Sequence, residues 1–306
     1  MKRITFILNG TIPKINKIIE KLNVQFKDGF DCEYLITDKT NHAIELSENA
    51  IMQGCDYLIA VGGDGTLNEV INGYMKTPKE KRAMVKVGLI PKGTGNDFAR
   101  LLGIGKMNQL HHLISTESYS HIDIGEANYL SFDGLPTKRF YCNITDIGVG
   151  AMTVKQINTS NKFFGATLTF LFATLKAFFS YKHQQVKVST PDFEWTGSII
   201  SVVMANGKYF GSGLGVAYEA KIDDGILNLV IVSKISVFQF LRFLPTLRKG
   251  KKVNHPNVNY FLIQSCKIEP IVESYPIDID GEYIGNIPLE VKINSKEVLF
   301  LYPKTV

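Results

Sequence analysis

Residues 56–73, Asp-Tyr-Leu-Ile-Ala-Val-Gly-Gly-Asp-Gly-Thr-Leu-Asn-Glu-Val-Ile-Asn-Gly, constrain this chain more than any other stretch. Residues 57–61 are almost wholly apolar with two β-branched side chains, the pattern of a buried parallel strand. The run stops at Gly62-Gly63-Asp64-Gly65-Thr66, after which Leu67, Val70, Ile71 and Tyr74 recur on one helix face. A glycine-rich turn between a buried strand and a helix start suits phosphates. Glycine lets backbone N–H groups approach an anion closely, and the helix N-terminus adds favourable partial charge. Asp64 demands explanation, because a carboxylate repels phosphate unless a metal or a donor mediates. An isolated Gly-Asp-Gly reads more often as a plain turn with Thr66 as N-cap. Three glycines in four positions after a buried strand move the reading towards phosphate. The match is neither the Rossmann fingerprint nor a P-loop, since residues 88–94 approach the P-loop spacing without a lysine after Gly93.

The flanking chain alternates. Residues 4–8 predict a strand ended by Asn9-Gly10-Thr11, and residues 12–22 a helix. Residues 32–36 predict a second strand ending at Thr37, and residues 41–52 a second helix. Residues 85–90 predict another strand, followed by the loop 91–97 and a short helix over 98–102, for which Asp97 would serve as N-cap or as a site residue. This order predicts an open α/β sheet over residues 1–123, whose ligands gather beyond the carboxyl ends of its strands. Asn9, Thr37, Gly62 to Thr66 and the segment 93–97 with Thr94, Asn96 and Asp97 all fall at such ends. From 124 to 296 the pattern changes to short apolar or alternating runs at 129–130, 137–144, 185–189, 194–205, 226–232, 258–269, 275–279 and 289–293. These predict a second, β-sandwich-like domain, with a last strand in 297–306 returning to the first domain.

Composition narrows the class. With 306 residues, 45% hydrophobic and 21% charged, the chain has ample core for two soluble globular domains. Its net charge of +5 suits an anionic substrate or surface. Cys32, Cys55, Cys142 and Cys266 are isolated, as expected of free thiols in a reducing cytoplasm. The apolar start at residues 4–8 is too short for a signal peptide. Residues 163–181 are strongly apolar, but Lys176 and several hydroxyl residues favour an amphipathic helix over a membrane span. Residues 235–253 combine Phe238, Phe240, Leu241, Phe243 and Leu244 with Arg242, Arg248, Lys249, Lys251 and Lys252. A core helix with a basic end and a membrane-surface patch are equal readings of that segment. Nucleic acid is disfavoured, because these aromatics share a helix face with aliphatics and form no stacking platform. Adjacent His111 and His112 point about 100° apart on a helix and read as a surface pair.

Two motifs, Gly62-Gly63-Asp64-Gly65-Thr66-Leu67-Asn68-Glu69-Val70 and Ile90-Pro91-Lys92-Gly93-Thr94-Gly95-Asn96-Asp97-Phe98-Ala99-Arg100, resemble the nucleotide motifs of the diacylglycerol kinase catalytic domain. Asn143 to Ala151, Gly211-Ser212-Gly213, Asp223-Asp224-Gly225 and Asp280-Gly281-Glu282 follow in the order of the soluble bacterial lipid kinases of that family. The first box alone is shared with NAD kinases and, more loosely, phosphofructokinases. The resemblance implies a two-domain protein: an N-terminal nucleotide domain like those of NAD kinase and diacylglycerol kinase, and a C-terminal β-sandwich-like domain. Gly63 to Glu69 would hold the ATP phosphates and ribose, helped by Thr94, Thr37 and Asn9. Gly10-Thr11-Ile12-Pro13 departs from the family's turn after that asparagine.

Glu282 falls where the family has its general base, with ATP between the domains. An Asp-Gly-Glu on its own reads as a hairpin turn. Asp224 matches a structural Mg²⁺ ligand, with main-chain oxygens of Lys221 and Ile226. Asp64, assisted by Asp97, would organise a second Mg²⁺ that travels with ATP. The expected activity is ATP-dependent phosphorylation of a lipid hydroxyl, diacylglycerol to phosphatidic acid, by a cytoplasmic enzyme associated peripherally with a membrane. No nucleic-acid partner is expected, and exposed strand edges could pair in a homodimer. The competing readings are an NAD kinase-like enzyme with a soluble substrate and a lipid-binding regulator without catalysis.

Overall fold

The computed structural model describes residues 1–105, 107–158 and 166–303. The chain divides into two compact units, Met1–Ile122 together with the segment from Lys296 on, and Asp123–Ser295.

In the first unit, strands Phe30–Ile36, Lys2–Leu8, Tyr57–Gly62 and Lys86–Pro91 lie side by side in that order, all parallel. Leu299 and Phe300 pair in parallel with Lys86 and Val87, so the chain end adds a strand. Alternate residues Ile4, Phe6, Leu8, Tyr57, Ile59 and Val61 are buried together on one face with Leu22, Phe26 and Leu110 from helices Ile15–Phe26 and Met107–Ser115. Side chains alternate across a strand, so a sheet covered on both faces needs the near-continuous apolar runs seen here. Helix Asp64–Lys76 buries Leu67, Val70, Ile71 and Tyr74, the face anticipated from their spacing.

Three helix starts differ from the sequence expectation. The helix after Gly63 starts at Asp64, so Gly-Asp-Gly is not a separate turn and Thr66 lies inside the first helical turn instead of capping it. Gly63 is extended and takes the N-cap place. Asp97 is likewise the first residue of helix Asp97–Leu101, and left-handed Asn96 precedes it. The first helix begins at Ile15, because Thr11 to Lys14 form a turn around Pro13.

The second unit is dominated by antiparallel strands, in the order Val258–Ile263, Leu227–Val232, Ser201–Ala205, Ile144–Gly148, Pro276–Ile279 and then the strand beginning at Glu282. Strands Ser265–Pro270, Gln184–Ser189 and Glu194–Ile199 continue from the Glu282 strand. Several runs expected as single strands are broken. Residues 137–144 divide at Cys142 and Asn143, whose N–H groups are both taken by the Asp280 carboxylate. Residues 194–205 divide at Ile200, whose N–H donates to the Val232 carbonyl and whose carbonyl accepts from Val149. Ile147, Val188, Val202, Leu229, Ile277 and Leu289 share a fully buried core.

Three helices accompany these strands: Val149–Asn158, Ala166–Ser180 and Val237–Arg248. The apolar segment 163–181 is helical over Ala166–Ser180, and its first three residues lie outside the described ones. Among the described residues no helix is long and apolar enough to cross a membrane. Helix Val237–Arg248 buries no residue fully, and Ser236 and Gln239 close its N-terminus in a reciprocal capping box. The last described strand ends at Leu301, and residues 304–306 of the expected terminal strand lie outside the described residues. All four cysteines are free thiols.

Candidate functional site

The two glycine-rich turns of the first unit touch backbone to backbone. A Cβ on Gly93 would lie 2.3 Å from the Gly63 Cα, and one on Gly63 would lie 2.9 Å from the Gly93 Cα. No other residue fits either position without moving main chain. Asp64 locks this contact. Its Oδ2 accepts the Asp97 N–H and its Oδ1 the Phe98 N–H, both at 3.1 Å. The carboxylate thus caps helix Asp97–Leu101 from the neighbouring turn, which answers why an acid stands among glycines. The Asn96 side chain closes its own loop, accepting from the Gly93 N–H and donating to the Gly93 carbonyl. Asp97 pairs with Arg100, and Thr94 is exposed.

The neighbouring strand ends are tied to the same helix. Glu69 Oε1 accepts the Asn41 N–H at 2.9 Å and Oε2 the Ala43 N–H at 3.0 Å, capping helix His42–Met52. Asn9 Nδ2 donates to Thr66 Oγ1 at 3.0 Å, and Asn9 Oδ1 accepts from Thr11. The Thr37 hydroxyl accepts the Gly10 N–H. Gly10 therefore still makes a turn bound to Thr37, although its sequence departs from the family pattern. Leu67 and Asn68 are fully buried, so their side chains do not line the turn surface. What that surface offers is the first-turn N–H groups of helix Asp64–Lys76, which have no intrahelical acceptors. With the helix dipole they favour an anion.

In the second unit, Asp280 and Gly281 both have positive φ and link strand Pro276–Ile279 to the strand starting at Glu282. The turn anticipated from Asp-Gly is present, and it carries more than a reversal. Asp280 accepts the N–H groups of Cys142, Asn143 and Ile144 at 2.9–3.1 Å. Glu282, partly exposed, receives Arg139 Nη2 on Oε2 at 2.8 Å. Arg139 is itself nearly buried. Sequence reading missed Arg139, since one arginine on a strand gives no signal. It also missed the anchoring role of Asp280.

The loop before strand Leu227–Val232 holds Asp223 and Asp224. Burial, then the nearby Asp123 and Asp223 charges, push the Asp224 carboxyl above its usual range, opposed by the Ile226 N–H that it accepts at 3.1 Å. Asp123, which the sequence did not single out, is fully buried and accepts the Gly225 N–H at 2.6 Å. A cation beside Asp224 would offset this crowding of like charges. The donor set of one carboxylate with the Lys221 and Ile226 carbonyls is all oxygen and fits a hard ion. Among the described residues no three His, Cys, Asp or Glu side chains gather as a metal site. Of the expected surface pair only His112 is exposed; His111 packs at a tilt against Phe26 and edge-on to Phe30.

Comparison with known proteins agrees with this layout. Residues 3–127 match the diacylglycerol kinase catalytic domain, and residues 143–301 match the YegS C-terminal NAD kinase beta sandwich-like domain. A Streptococcus pneumoniae protein provisionally named a lipid kinase is 30% identical over 99% of both chains. A Staphylococcus carnosus protein named diacylglycerol kinase is 28% identical, covering 100% of this chain and 96% of its own. Among solved structures, a Bacillus anthracis diacylglycerol kinase superposes with a TM-score of 0.70 at 20% identity, covering 99% of this chain and 97% of its own. Yeast NADH kinase with NADH superposes at 0.56 and 9% identity, over 100% of this chain and 84% of its own. The fold is thus the α/β and β-sandwich pair common to diacylglycerol and NAD kinases, and the chain belongs to the diacylglycerol kinase family.

Proposed function

We propose that this protein is an ATP-dependent lipid kinase that converts diacylglycerol to phosphatidic acid. The observation that carries the reading is the interlocked pair of turns, in which Gly63 and Gly93 leave only main chain facing main chain and Asp64 ties one to the other. Such a surface binds phosphates through N–H groups and needs no lysine. Gly62 to Thr66 hold the ATP phosphates by main chain. Asn9, Thr37, Glu69, Asn96 and Asp97 shape that surface through the bonds described above. Leu67 and Asn68 anchor it from the core, and exposed Thr94 contacts the nucleotide.

Glu282 accepts the proton of the acceptor hydroxyl as that oxygen bonds to the γ-phosphorus and the bond to the β-phosphate oxygen breaks, releasing ADP. Arg139 fixes the carboxylate for this task. Phosphoryl transfer asks little covalent chemistry of a protein beyond positioning and charge stabilisation. Mg²⁺ held by Asp224 with the Lys221 and Ile226 carbonyls would supply fixed positive charge that braces the loop. Asp64, assisted by Asp97, would steer a nucleotide-bound Mg²⁺, although the Asp64 oxygens already accept two N–H bonds.

A long-chain substrate is met at a membrane surface. Phe172, Phe179 and Phe238 are 60%, 81% and 83% exposed on helices Ala166–Ser180 and Val237–Arg248, and Arg242, Arg248, Lys249, Lys251 and Lys252 are exposed nearby. This combination suits peripheral docking to anionic lipid.

The test is labelled-phosphate transfer from ATP to a panel of micellar lipids and to NAD. Diacylglycerol is the expected acceptor. Transfer to NAD alone would establish the NAD kinase-like reading instead, and silence with all acceptors would favour a regulator.

A further inference from the structure

Helix His42–Met52 opens on a side chain that the phosphate cradle does not use. The His42 side chain is only 19% exposed, and Asp38 occupies one edge of its ring. The Asp38 main-chain N–H donates to Nδ1 at 3.2 Å, and the Asp38 carboxylate Oδ1 stands 2.6 Å from the same nitrogen. Among the described residues the other ring nitrogen, Nε2, has no hydrogen-bond partner. The main chain under the ring is fixed from both sides. Asn41 and Ala43 give their N–H groups to the Glu69 carboxylate, so this helix start is already capped. The preceding strand is locked to its neighbour, because the Thr37 N–H donates to the Leu8 carbonyl at 2.9 Å and the Thr37 hydroxyl accepts the Gly10 N–H. A partly exposed contact between a histidine and an acid adds little to stability. What it does provide is an imidazole held at Nδ1 and open at Nε2, a hydrogen-bonding group set in advance.

The place of that group in the sheet says what it meets. Strands Phe30–Ile36, Lys2–Leu8 and Tyr57–Gly62 lie side by side and parallel, so the end of the first stands two strand spacings, about 10 Å, from the Gly62–Thr66 turn. Glu69, on the helix that follows that turn, bridges the gap through its bonds to both chain neighbours of His42. In open α/β sheets the side chain that reads a ribose stands at a strand end beside the phosphate turn. The chemistry agrees with the position. A ribose hydroxyl both donates and accepts, so it pairs with Nε2 whichever ring nitrogen carries the hydrogen. A phosphate oxygen only accepts, and the main-chain N–H groups of the glycine turn already suit it.

We propose that His42 reads the sugar of the bound nucleotide, with Nε2 hydrogen-bonded to its 2′- or 3′-hydroxyl and Asp38 holding the ring in place. The assignment deepens the kinase reading and rests on it for the identity of the ligand, a ribonucleoside triphosphate. His42 is then a specificity-determining residue that favours ribonucleotides over deoxyribonucleotides, because a sugar without the hydroxyl leaves Nε2 unpaired in a partly enclosed place. Asp38 is a positioning residue, acting on the sugar only through the ring.

The experiment is calorimetric titration of the full chain, with Mg²⁺ and without lipid, with ATP, 2′-deoxy-ATP, 3′-deoxy-ATP and inosine triphosphate. The proteins are wild type, His42→Phe and Asp38→Ala, with thermal unfolding as the check on folding. Wild type should bind one deoxy analogue about five- to tenfold more weakly than ATP, and inosine triphosphate as tightly as ATP. His42→Phe should bind ATP as weakly as wild type binds that analogue, with no further loss when the hydroxyl is removed. Asp38→Ala should show a smaller deoxy penalty than wild type, whereas a purely structural Asp38 would weaken all four nucleotides alike and leave the ratio unchanged. Equal wild-type affinity for ATP and both deoxy analogues, a penalty that persists in His42→Phe, or a His42-dependent penalty seen with inosine triphosphate instead overturns the proposal. Should His42→Phe not fold, Asp38→Ala decides: a reduced penalty supports the assignment, and an unchanged one overturns it. ATP bound by wild type without any deoxy penalty overturns the sugar contact and leaves the kinase reading standing, while no ATP binding at all overturns both. A deoxy penalty in a protein that transfers phosphate to no lipid upholds the contact and removes the kinase reading.

Discussion

The acids of the first unit and those of the second are used in opposite ways. Asp64 and Glu69 each accept two backbone N–H groups, and each holds the start of a helix other than its own. Asp146 and Asp278 lie deep in a sheet and are hydrogen-bonded to each other, and burial raises both carboxyls. The first pair makes a rigid cradle whose N–H groups face outward. The second shares a proton in the interior, where burial makes two charges untenable. A carboxylate among glycines is thus not by itself a metal ligand or a base. Its partners decide, and partners are set by tertiary structure.

The largest effect expected within this comparison is at Glu282, which belongs to neither kind because a side chain, Arg139, holds it. Glu282→Gln keeps the size and loses the base, so turnover should fall by about 10²–10⁴-fold, read by labelled-phosphate transfer. Next come the two buried, paired acids. Asp146 binds its proton more tightly folded than unfolded, so its contribution to stability is complete below about pH 4. That contribution is lost as pH rises through about 7, the folded value. Denaturant titration from pH 5 to 8 should show wild type losing a few kcal/mol relative to Asp146→Asn. A flat difference would mean the pair is not buried as described.

Gly93→Val should cost about 1–3 kcal/mol by forcing the two turns apart, and should weaken ATP binding more than lipid binding in separate titrations. Asp64→Ala leaves the Asp97 and Phe98 N–H groups without their acceptor, a loss of about 1–2 kcal/mol in thermal unfolding. The smallest effect lies on the surface. Lys251→Glu should weaken binding to anionic vesicles by about 1–2 kcal/mol, with little change on neutral ones.

Much of the first unit was legible. Apolar runs at 57–61 and 85–90, glycine punctuation and helical spacing locate its strands, its turns and the buried face of helix Asp64–Lys76. The caps were not legible, because Asp64 and Phe98 are 34 positions apart and Glu69 and Asn41 are 28 apart. Nothing local announces such pairs. In the second unit the run 137–144 looked continuous, since a single N–H acceptor, Asp280, breaks it from 137 residues downstream of Asn143. Arg139 and the Asp146–Asp278 pair were invisible for the same reason. Each gains meaning only from the strand beside it.

The most direct test of the central claim is to measure ATP binding and phosphate transfer side by side in wild type and Glu282→Gln. The account predicts that the variant binds ATP as wild type does, because the cradle belongs to the first unit, and that it transfers almost none to diacylglycerol. Transfer at the wild-type rate by Glu282→Gln, or an ATP affinity lost with the glutamate, would contradict it.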